Sequence, residues 1–167
     1  QKGLGDVSLQ MAYQAINKKD FALSYWASLK LPSGKSNKLT GSGNTDLAFW
    51  LASHNNLKNS LWVYGNAGIV VMGNSDILPA IQKNHALFLT TGLQFNASNS
   101  FSLKIQLDNH SAFYKSETDF LGAVTQLTFG GSITMGARSE FDIAITEDIQ
   151  TGSSPDVNFN LTWRNRF

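Results

Sequence analysis

The sequence contains no cysteine, only three prolines in 167 residues, and few charges, since 15% of its residues are Asp, Glu, Lys or Arg. The absence of cysteine excludes disulfides and thiolate metal sites. The formal net charge is +1 and no block of Lys or Arg occurs, so the sequence predicts no nucleic-acid partner. The longest apolar run, from Ala67 to Met72, is much shorter than the about 20 residues that a membrane-spanning helix needs.

The sequence instead shows long stretches in which apolar and polar residues alternate, separated by clusters of Gly, Asn, Ser, Asp and Pro. Alternation with a period of two is typical of β-strands. Most of the segments are longer than the five or six residues common in globular strands, and they suit a tilted strand that crosses a bilayer. The eighth segment is the weakest by this criterion. The nine candidate strands are 6–17, 20–32, 45–54, 59–72, 85–96, 100–114, 119–135, 140–149 and 156–167.

The two faces of these strands differ strongly in polarity. Odd-numbered positions carry the large aliphatic and aromatic residues, and even-numbered positions carry a set too polar for the dry core of a sandwich. A water-filled or hydrogen-bonded lumen would accept the even-numbered set. Trp26, Trp50 and Trp62 also belong to the even face and are expected to be buried, which suits an apolar solute or a closed interior equally well. The candidate lumen-lining residues are Lys30, Asp46, Lys104, Asp108, His110, Asp142, Arg164 and Arg166.

The chain ends in an alternating strand, Val157 to Phe167, whose last residue is aromatic. This ending resembles the C-terminal signal of bacterial outer-membrane β-barrels, which the barrel-assembly machinery recognises. The resemblance implies that this machinery is a partner of the chain. The residues that would form the signal are Phe159, Leu161, Trp163 and Phe167.

The connections between the candidate strands alternate in length. Those near 17–20, 54–58, 97–100 and 136–139 are tight, whereas those near 33–44, 73–84, 115–119 and 150–155 are mostly longer and rich in Gly, Ser and Asn. Short periplasmic turns and longer outer loops are typical of outer-membrane barrels. If Phe167 lies in the periplasm, every tight turn lies on that side.

Aromatic residues cluster at the tight-turn ends of the strands. On the odd, outward face they would form a girdle at the membrane interface, where large rings are favoured. The alternative is that aromatic residues are simply common in strands. The predicted girdle consists of Tyr13, Phe21, Phe95, Phe101 and Phe141, together with Trp163 and Phe167.

Nine strands is an odd number, whereas a bacterial single-chain barrel normally has an even number and both termini in the periplasm. The predicted topology places Gln1 on the outside. Either one segment, such as 140–149, is not a strand, or upstream strands are missing and the chain is the C-terminal part of a larger barrel. The sequence therefore predicts an all-β, antiparallel up-and-down transmembrane barrel, with residues 1–167 forming one barrel domain or part of one.

Short glycine-rich motifs add a family resemblance. Gly3 to Val7, Leu29 to Lys35 and Gly41 to Asp46 resemble the strand starts and Leu-Pro-x-Gly ends of two related groups of outer-membrane proteins. One is the phenol-degradation meta-pathway group, and the other is a family of proteobacterial barrel proteins with no assigned role, which the segment from Glu147 to Phe159 also resembles. In these families several strands usually precede the first motif. The resemblance implies a channel for hydrophobic or aromatic compounds in one group and no assigned role in the other.

Candidate chemistry is sparse. The histidines His54, His85 and His110 lack metal-ligand spacing, and no motif predicts a cofactor. Some small outer-membrane barrels are lipid hydrolases with a His-Ser pair, but His110 and Ser111 are adjacent on a strand and should point to opposite faces. Asp108 shares a face with His110 and could pair with it. We therefore expect no enzyme activity.

The predicted function is a passive channel in the bacterial outer membrane for a small solute, with hydrophobic compounds as one candidate class and outer-membrane lipid around the barrel. A closed structural barrel and a barrel enzyme acting on lipid A or phospholipid are the alternatives of another class. A soluble lipocalin-like barrel, apolar inside and polar outside, is a third, because the sequence cannot distinguish the inner face from the outer. The aromatic girdle and the terminal Phe favour the membrane.

Overall fold

In a computed structural model that describes residues 3–116, 118, 121–149 and 157–165, the chain forms one antiparallel β-sheet of nine strands. A single turn of 3-10 helix, Ser36–Lys38, lies in the first long loop. No helix in the described ranges is long and apolar enough to cross a membrane. The strands are β1 Val7–Asn17, β2 Phe21–Leu31, β3 Asp46–Lys58, β4 Leu61–Met72, β5 His85–Asn96, β6 Phe101–His110, β7 Val124–Met135, β8 Ser139–Asp148 and β9 Val157–Asn165.

Each strand pairs with its neighbours in sequence, so the order across the sheet is β1 to β9 without a crossover. The predicted all-β, up-and-down architecture is confirmed. The doubtful eighth segment is a strand, because β8 pairs with β7 from Met135 to Gln126 and with β9 from Asn165 to Val157. Among the described strands, β1 and β9 are not paired with each other, so the sheet is open.

The predicted end of the third strand was wrong. We expected a turn at 54–58, but β3 continues to Lys58 and the turn lies at 59–60. Asn55 and Asn56 pair with Val63 and Trp62 of β4, and a bulge follows before Lys58. Asparagine has a low intrinsic strand preference, but here the hydrogen bonds to β4 outweigh it because strand preference depends strongly on context.

The sixth and seventh strands are shorter than predicted. β6 ends at His110 rather than 114, and β7 begins at Val124 rather than 119. The residues after His110 leave the sheet and pair with the preceding long loop, since Tyr114 bridges Gln82 and the Lys115 N–H donates to the Ile81 carbonyl at 2.6 Å. The backbone of this segment is therefore satisfied by a loop partner instead of by β7.

The two faces of the sheet differ in environment. Even-numbered side chains are mostly half-buried, and contacts between them pass over an intervening strand, as from Tyr64 on β4 to Gln106 on β6. Such contacts are favoured where a sheet curves toward its side chains, so the even face is the concave face. The odd face is convex and exposes large apolar residues, among them Leu9, Met11, Phe49, Leu51, Leu87, Leu89, Leu103, Ile105, Phe129, Ile143, Phe159 and Leu161.

The connections lie at opposite ends of the sheet in alternation. Residues 18–20, 59–60, 97–100 and 136–138 connect strands at one end, which we call the tight-turn end. Residues 32–45, 73–84 and 111–123 connect strands at the other, which we call the long-loop end. The remaining connection, from 149 to 156, lies outside the described residues except for Ile149, so the whole of the predicted loop at 150–155 lies outside them.

Candidate functional site

We describe four groups of interacting side chains among the described residues of the concave face, and the first lies at the long-loop end. Lys30 of β2 forms ion pairs with Asp6 at 3.4 Å and with Asp46 of β3 at 2.5 Å, and it also donates a hydrogen bond to the Ser42 hydroxyl. The backbone N–H groups of Gly34 and Ser42 donate to the two oxygens of Asp6 at 2.9 and 3.1 Å. Asp6 therefore ties the 32–45 loop to the first two strands.

Glycine is required where this loop passes Asp6. A Cβ at Gly41 would collide with the Asp6 carboxylate, so a larger residue there would displace the carboxylate. The N–H donors of Gly34 and then Ser42 lower the pKa of Asp6 from its ordinary value of 3.8, with Lys30 adding to the effect against a partial opposing contribution from desolvation. The ionised form of Asp6 is thus the form that holds the loop.

We expect the anchoring of the 32–45 loop to depend on pH. Because the pKa of Asp6 is lowered in the folded state, its contribution is complete above 3.8 and is lost as the pH falls below 3.8 through the folded pKa. Hydrogen exchange of the loop should be slower in the wild type than in Asp6→Asn at neutral pH, and the difference should disappear in acid. Asp20→Asn, at the tight-turn end, is the matched control. A loop difference that did not change with pH would contradict the assignment.

The second group is an aromatic row across β2 to β5. The rings of Trp26 and Trp50 stack at 5.5 Å with an interplanar angle of 11°, and Trp50 meets Phe88 edge to face at 6.2 Å. Gly68 of β4 lies between Trp50 and Phe88, and its missing side chain leaves the space in which the two rings meet. We expected the tryptophans to be buried, but Trp26, Trp50 and Trp62 are half-buried because the face is open.

The third group is a polar chain in the middle of β4 to β6. The Tyr64 hydroxyl donates to Gln106 at 3.0 Å, passing over Gly92, where any Cβ would collide with the tyrosine ring. The Gln106 amide and the Thr90 hydroxyl then donate to separate oxygens of Asp108, each at 2.7 Å. A groove of 570 Å³ runs beside Tyr64 on the side of β2 and β3, where Trp26 and His54 line it.

The fourth group is a charged ladder across β6 to β9 near the tight-turn end. Lys104 donates to the Ser132 hydroxyl at 2.7 Å and lies 3.5 Å from Asp142. Ser132 and Arg164 both donate to Asp142, and Arg164 is also paired with Glu140 at 3.4 Å. Lysine and arginine therefore bracket one aspartate, and each charge of this ladder has an oppositely charged partner.

The predicted lumen residues thus lie on one face but not in one site. Lys30 and Asp46 belong to the long-loop group, Lys104, Asp142 and Arg164 belong to the ladder, and Asp108 belongs to the polar chain between them. The His110 ring contacts the Phe113 ring at 4.7 Å between centroids, tilted by 34°, and Arg166 lies outside the described residues.

The sequence analysis missed several functional candidates on the concave face. Apart from Asp6 and Glu140 they are uncharged, and none has a catalytic signature, but strand-interior glycines mark close approaches and could have indicated Tyr64, which lies over Gly92. The missed residues are Asp6, Tyr64, Thr90, Gln106, Ser132 and Glu140.

His110 and Ser111 do not form a nucleophile and base pair. The Ser111 hydroxyl accepts the Leu87 N–H at 2.9 Å, and the His110 ring contacts the carbonyl of Ser111 at 3.1 Å. Asp108 is bonded to Thr90 and Gln106 rather than to His110. Within the part of the chain that the structure describes, no group of three His, Cys, Asp or Glu side chains could hold a metal ion.

The predicted girdle residues lie at the tight-turn ends of their strands. Tyr13 and Trp163 are 70% exposed, and Phe95 and Phe101 are 48% and 40% exposed on the convex face. Phe21 and Phe141 are half-buried among their neighbours. Of the predicted assembly signal, Phe159, Leu161 and Trp163 lie together on the exposed face of β9, and Phe167 lies outside the described residues.

Comparison with known proteins adds a family and a fold. The profile of the family described as "Protein of unknown function (DUF3187)" matches residues 1–167. The sequence has no match among curated proteins. The crystal structure of an outer membrane channel from Pseudomonas putida F1 superposes with a TM-score of 0.78 at 16% identity, over 98% of this chain and 66% of that one.

The likeness in structure shows that the chain has the fold of an outer-membrane channel barrel, and the chain spans 66% of that channel's length. The predicted resemblance to barrel proteins is confirmed at the level of fold. The relation to the phenol-degradation group stays a prediction, because neither match tests it.

Proposed function

The chain belongs to the DUF3187 family, and from its fold we propose that it is an outer-membrane β-barrel that forms a passive channel for a small solute. The observation that carries the proposal is the polarity of the two faces. The convex face is apolar over most strands, and the concave face holds the polar and charged groups. This is the arrangement that a barrel in lipid requires, with its polar face lining a lumen.

The apolar convex face supports a lipid environment. Leu89, Leu103 and Phe129 are each about half exposed, and they belong to a continuous surface across the central strands. Soluble monomers rarely expose contiguous apolar patches of more than a few hundred Å². A lipocalin-like protein would place its apolar side chains inside and its polar ones outside, which is the reverse of this arrangement.

The orientation that we propose places the tight turns in the periplasm and the long loops outside. Four exposed aromatic residues would then lie at the periplasmic interface of the outer membrane, where aromatic rings are favoured. They are Tyr13, Phe95, Phe101 and Trp163. The exposed apolar row of β9 would present the assembly signal to the barrel-assembly machinery. The orientation and the role of β9 in assembly are both proposals that go beyond the fold. They rest on where these aromatic and apolar residues lie on the strands.

Closure of the barrel requires further strands between β9 and β1. In an up-and-down sheet alternate strands run in opposite directions, so β1 and β9 run in the same direction. Direct pairing of these two edges would be parallel, whereas an odd number of additional strands closes the sheet with antiparallel pairs throughout. We propose closure of this kind, which also gives the even total that is typical of such barrels.

The side chains of the concave face favour a solute that is small and partly apolar. The Trp26, Trp50 and Phe88 rings offer an aromatic surface beside the groove along Tyr64. Polar groups on the neighbouring strands would solvate the remainder of the solute. A catalytic role is less well supported, because His110 and Ser111 do not interact through their side chains.

The proposal predicts conductance together with dependence on detergent. The purified full-length protein should aggregate when detergent is removed, because the convex face is apolar, and it should produce stepwise conductance in planar bilayers. Heat-unfolded protein at the same concentration is the control for non-specific leaks. A protein that stayed monodisperse without detergent would refute the membrane location, whereas insertion without conductance would favour the closed barrel.

A further inference from the structure

We propose that the channel prefers cations to anions and that Asp108 is the principal residue that sets this preference. The inference rests on the proposed channel function and adds to it the sign of the charge that is favoured in the lumen. It comes from the balance of charges along the concave face and from the hydrogen-bond partners of Asp108, which is level with the middle of β5.

The concave face has more carboxylates than cations. Within the described strands it carries Lys30, Lys104 and Arg164 against Asp46, Asp108, Glu140, Asp142 and Asp148. Asp6, just before β1, adds another carboxylate to the same face. The field in the lumen is therefore expected to be negative.

Most of these carboxylates are compensated locally. Lys104 and Arg164 match Asp142 and Glu140 charge for charge, whereas Lys30 pairs with both Asp6 and Asp46 and leaves one negative charge on the long-loop group. Such pairs screen one another and contribute little net field along a path through the barrel. They fill the two ends of the concave face, the long-loop group at one end and the ladder at the other.

Asp108 has a different environment. It is the third residue from the long-loop end of β6 and pairs with Thr90 at the middle of β5, and Thr90 and Gln106 each donate a hydrogen bond to it at 2.7 Å. Both donors are neutral, and no Lys or Arg of the described residues forms an ion pair with Asp108. The two donors hold the carboxylate in place, level with the middle of β5, and do not compensate its negative charge.

The neighbours of Asp108 also suit cations. Tyr64 reaches Asp108 through Gln106, and Phe88 lies one row away on β5, next to Thr90. Aromatic faces attract cations and do not attract anions. Rings of carboxylates determine cation selectivity in other pores. Here the polar chain places one carboxylate close to the Phe88 end of the aromatic row.

The test is the reversal potential of the full-length protein in planar bilayers under a KCl gradient. We expect the wild type to favour K⁺ over Cl⁻, and we expect Asp108→Asn to lower the permeability ratio about twofold or more while conductance persists. Asp108→Glu should restore the ratio. The matched control is Glu147→Gln, which removes the same charge from an exposed odd position on β8 and should leave the ratio unchanged.

The possible outcomes test the channel, its cation preference and the role of Asp108 separately. Absence of conductance in every preparation would overturn the channel itself. Conductance with a reversal potential of zero or of anion sign in the wild type would overturn the cation preference, whether or not any variant folds. If Asp108→Asn changed the permeability ratio no more than Glu147→Gln does, the role of Asp108 would be refuted.

Discussion

Leu89→Arg should strongly reduce the fraction of protein that folds into lipid vesicles. Leu89 lies on the convex face of β5 and is 50% exposed. An arginine at the middle of the lipid-facing surface of a barrel costs about 2–4 kcal/mol, which is a large part of the stability of a typical protein. The measurement is the folded fraction in vesicles, read from the difference in gel mobility between heated and unheated samples.

The matched control for Leu89→Arg is Asn66→Arg. Asn66 lies on β4 beside the partner of Leu89, but its side chain belongs to the concave face. A charge there would meet water and polar groups, so we expect at most a small loss of folded protein. Equal losses in the two variants would contradict the assignment of the odd face to lipid.

Gly68→Val should destabilise the sheet at the aromatic row. A Cβ at Gly68 would lie 2.5 Å from the Cβ of Trp50 and 2.6 Å from the Phe88 ring, and it would collide with the Phe49 carbonyl. Overpacking of this kind costs about 1–3 kcal/mol, since neighbouring side chains or backbone must move. The expected result is a lower urea midpoint for unfolding in detergent, together with altered tryptophan fluorescence from Trp26 and Trp50.

The control for Gly68→Val is Ala67→Val, one residue earlier on the exposed face of β4. It adds bulk to the same strand without meeting the aromatic row, and valine is favoured in strands. We expect its urea midpoint to be close to that of the wild type. A midpoint for Gly68→Val that matched the control would show that the row can move aside without cost.

Much of the architecture could be predicted because it depends on local patterns. Alternation of apolar and polar residues identified all nine strands, including β8, and the spacing of Gly, Asn and Ser identified the alternating connections. The errors fell where a local signal competes with a distant partner. The run from His54 to Lys58 reads as a turn, but pairing with β4 extends the strand through it.

The candidate site was predictable only as a face. Parity places Lys104, Asp108 and Asp142 on the same side of the sheet, and the structure agrees. Which of them interact depends on register and on small residues in the strands between them. Lys104 reaches Asp142 across Ser132, whereas Asp108 is held by Thr90 and Gln106.

The sequence by itself determined the strands and the polarity of their two faces, because both follow from a period of two along the chain, and the spacing of Gly, Asn and Ser determined the alternation of turns and loops. Only the tertiary structure decided which face is concave, how the charges divide into paired groups, and that Asp108 pairs with no Lys or Arg within the described ranges. These features depend on the curvature of the sheet and on contacts between strands two positions apart, to which the pattern within a single strand is insensitive.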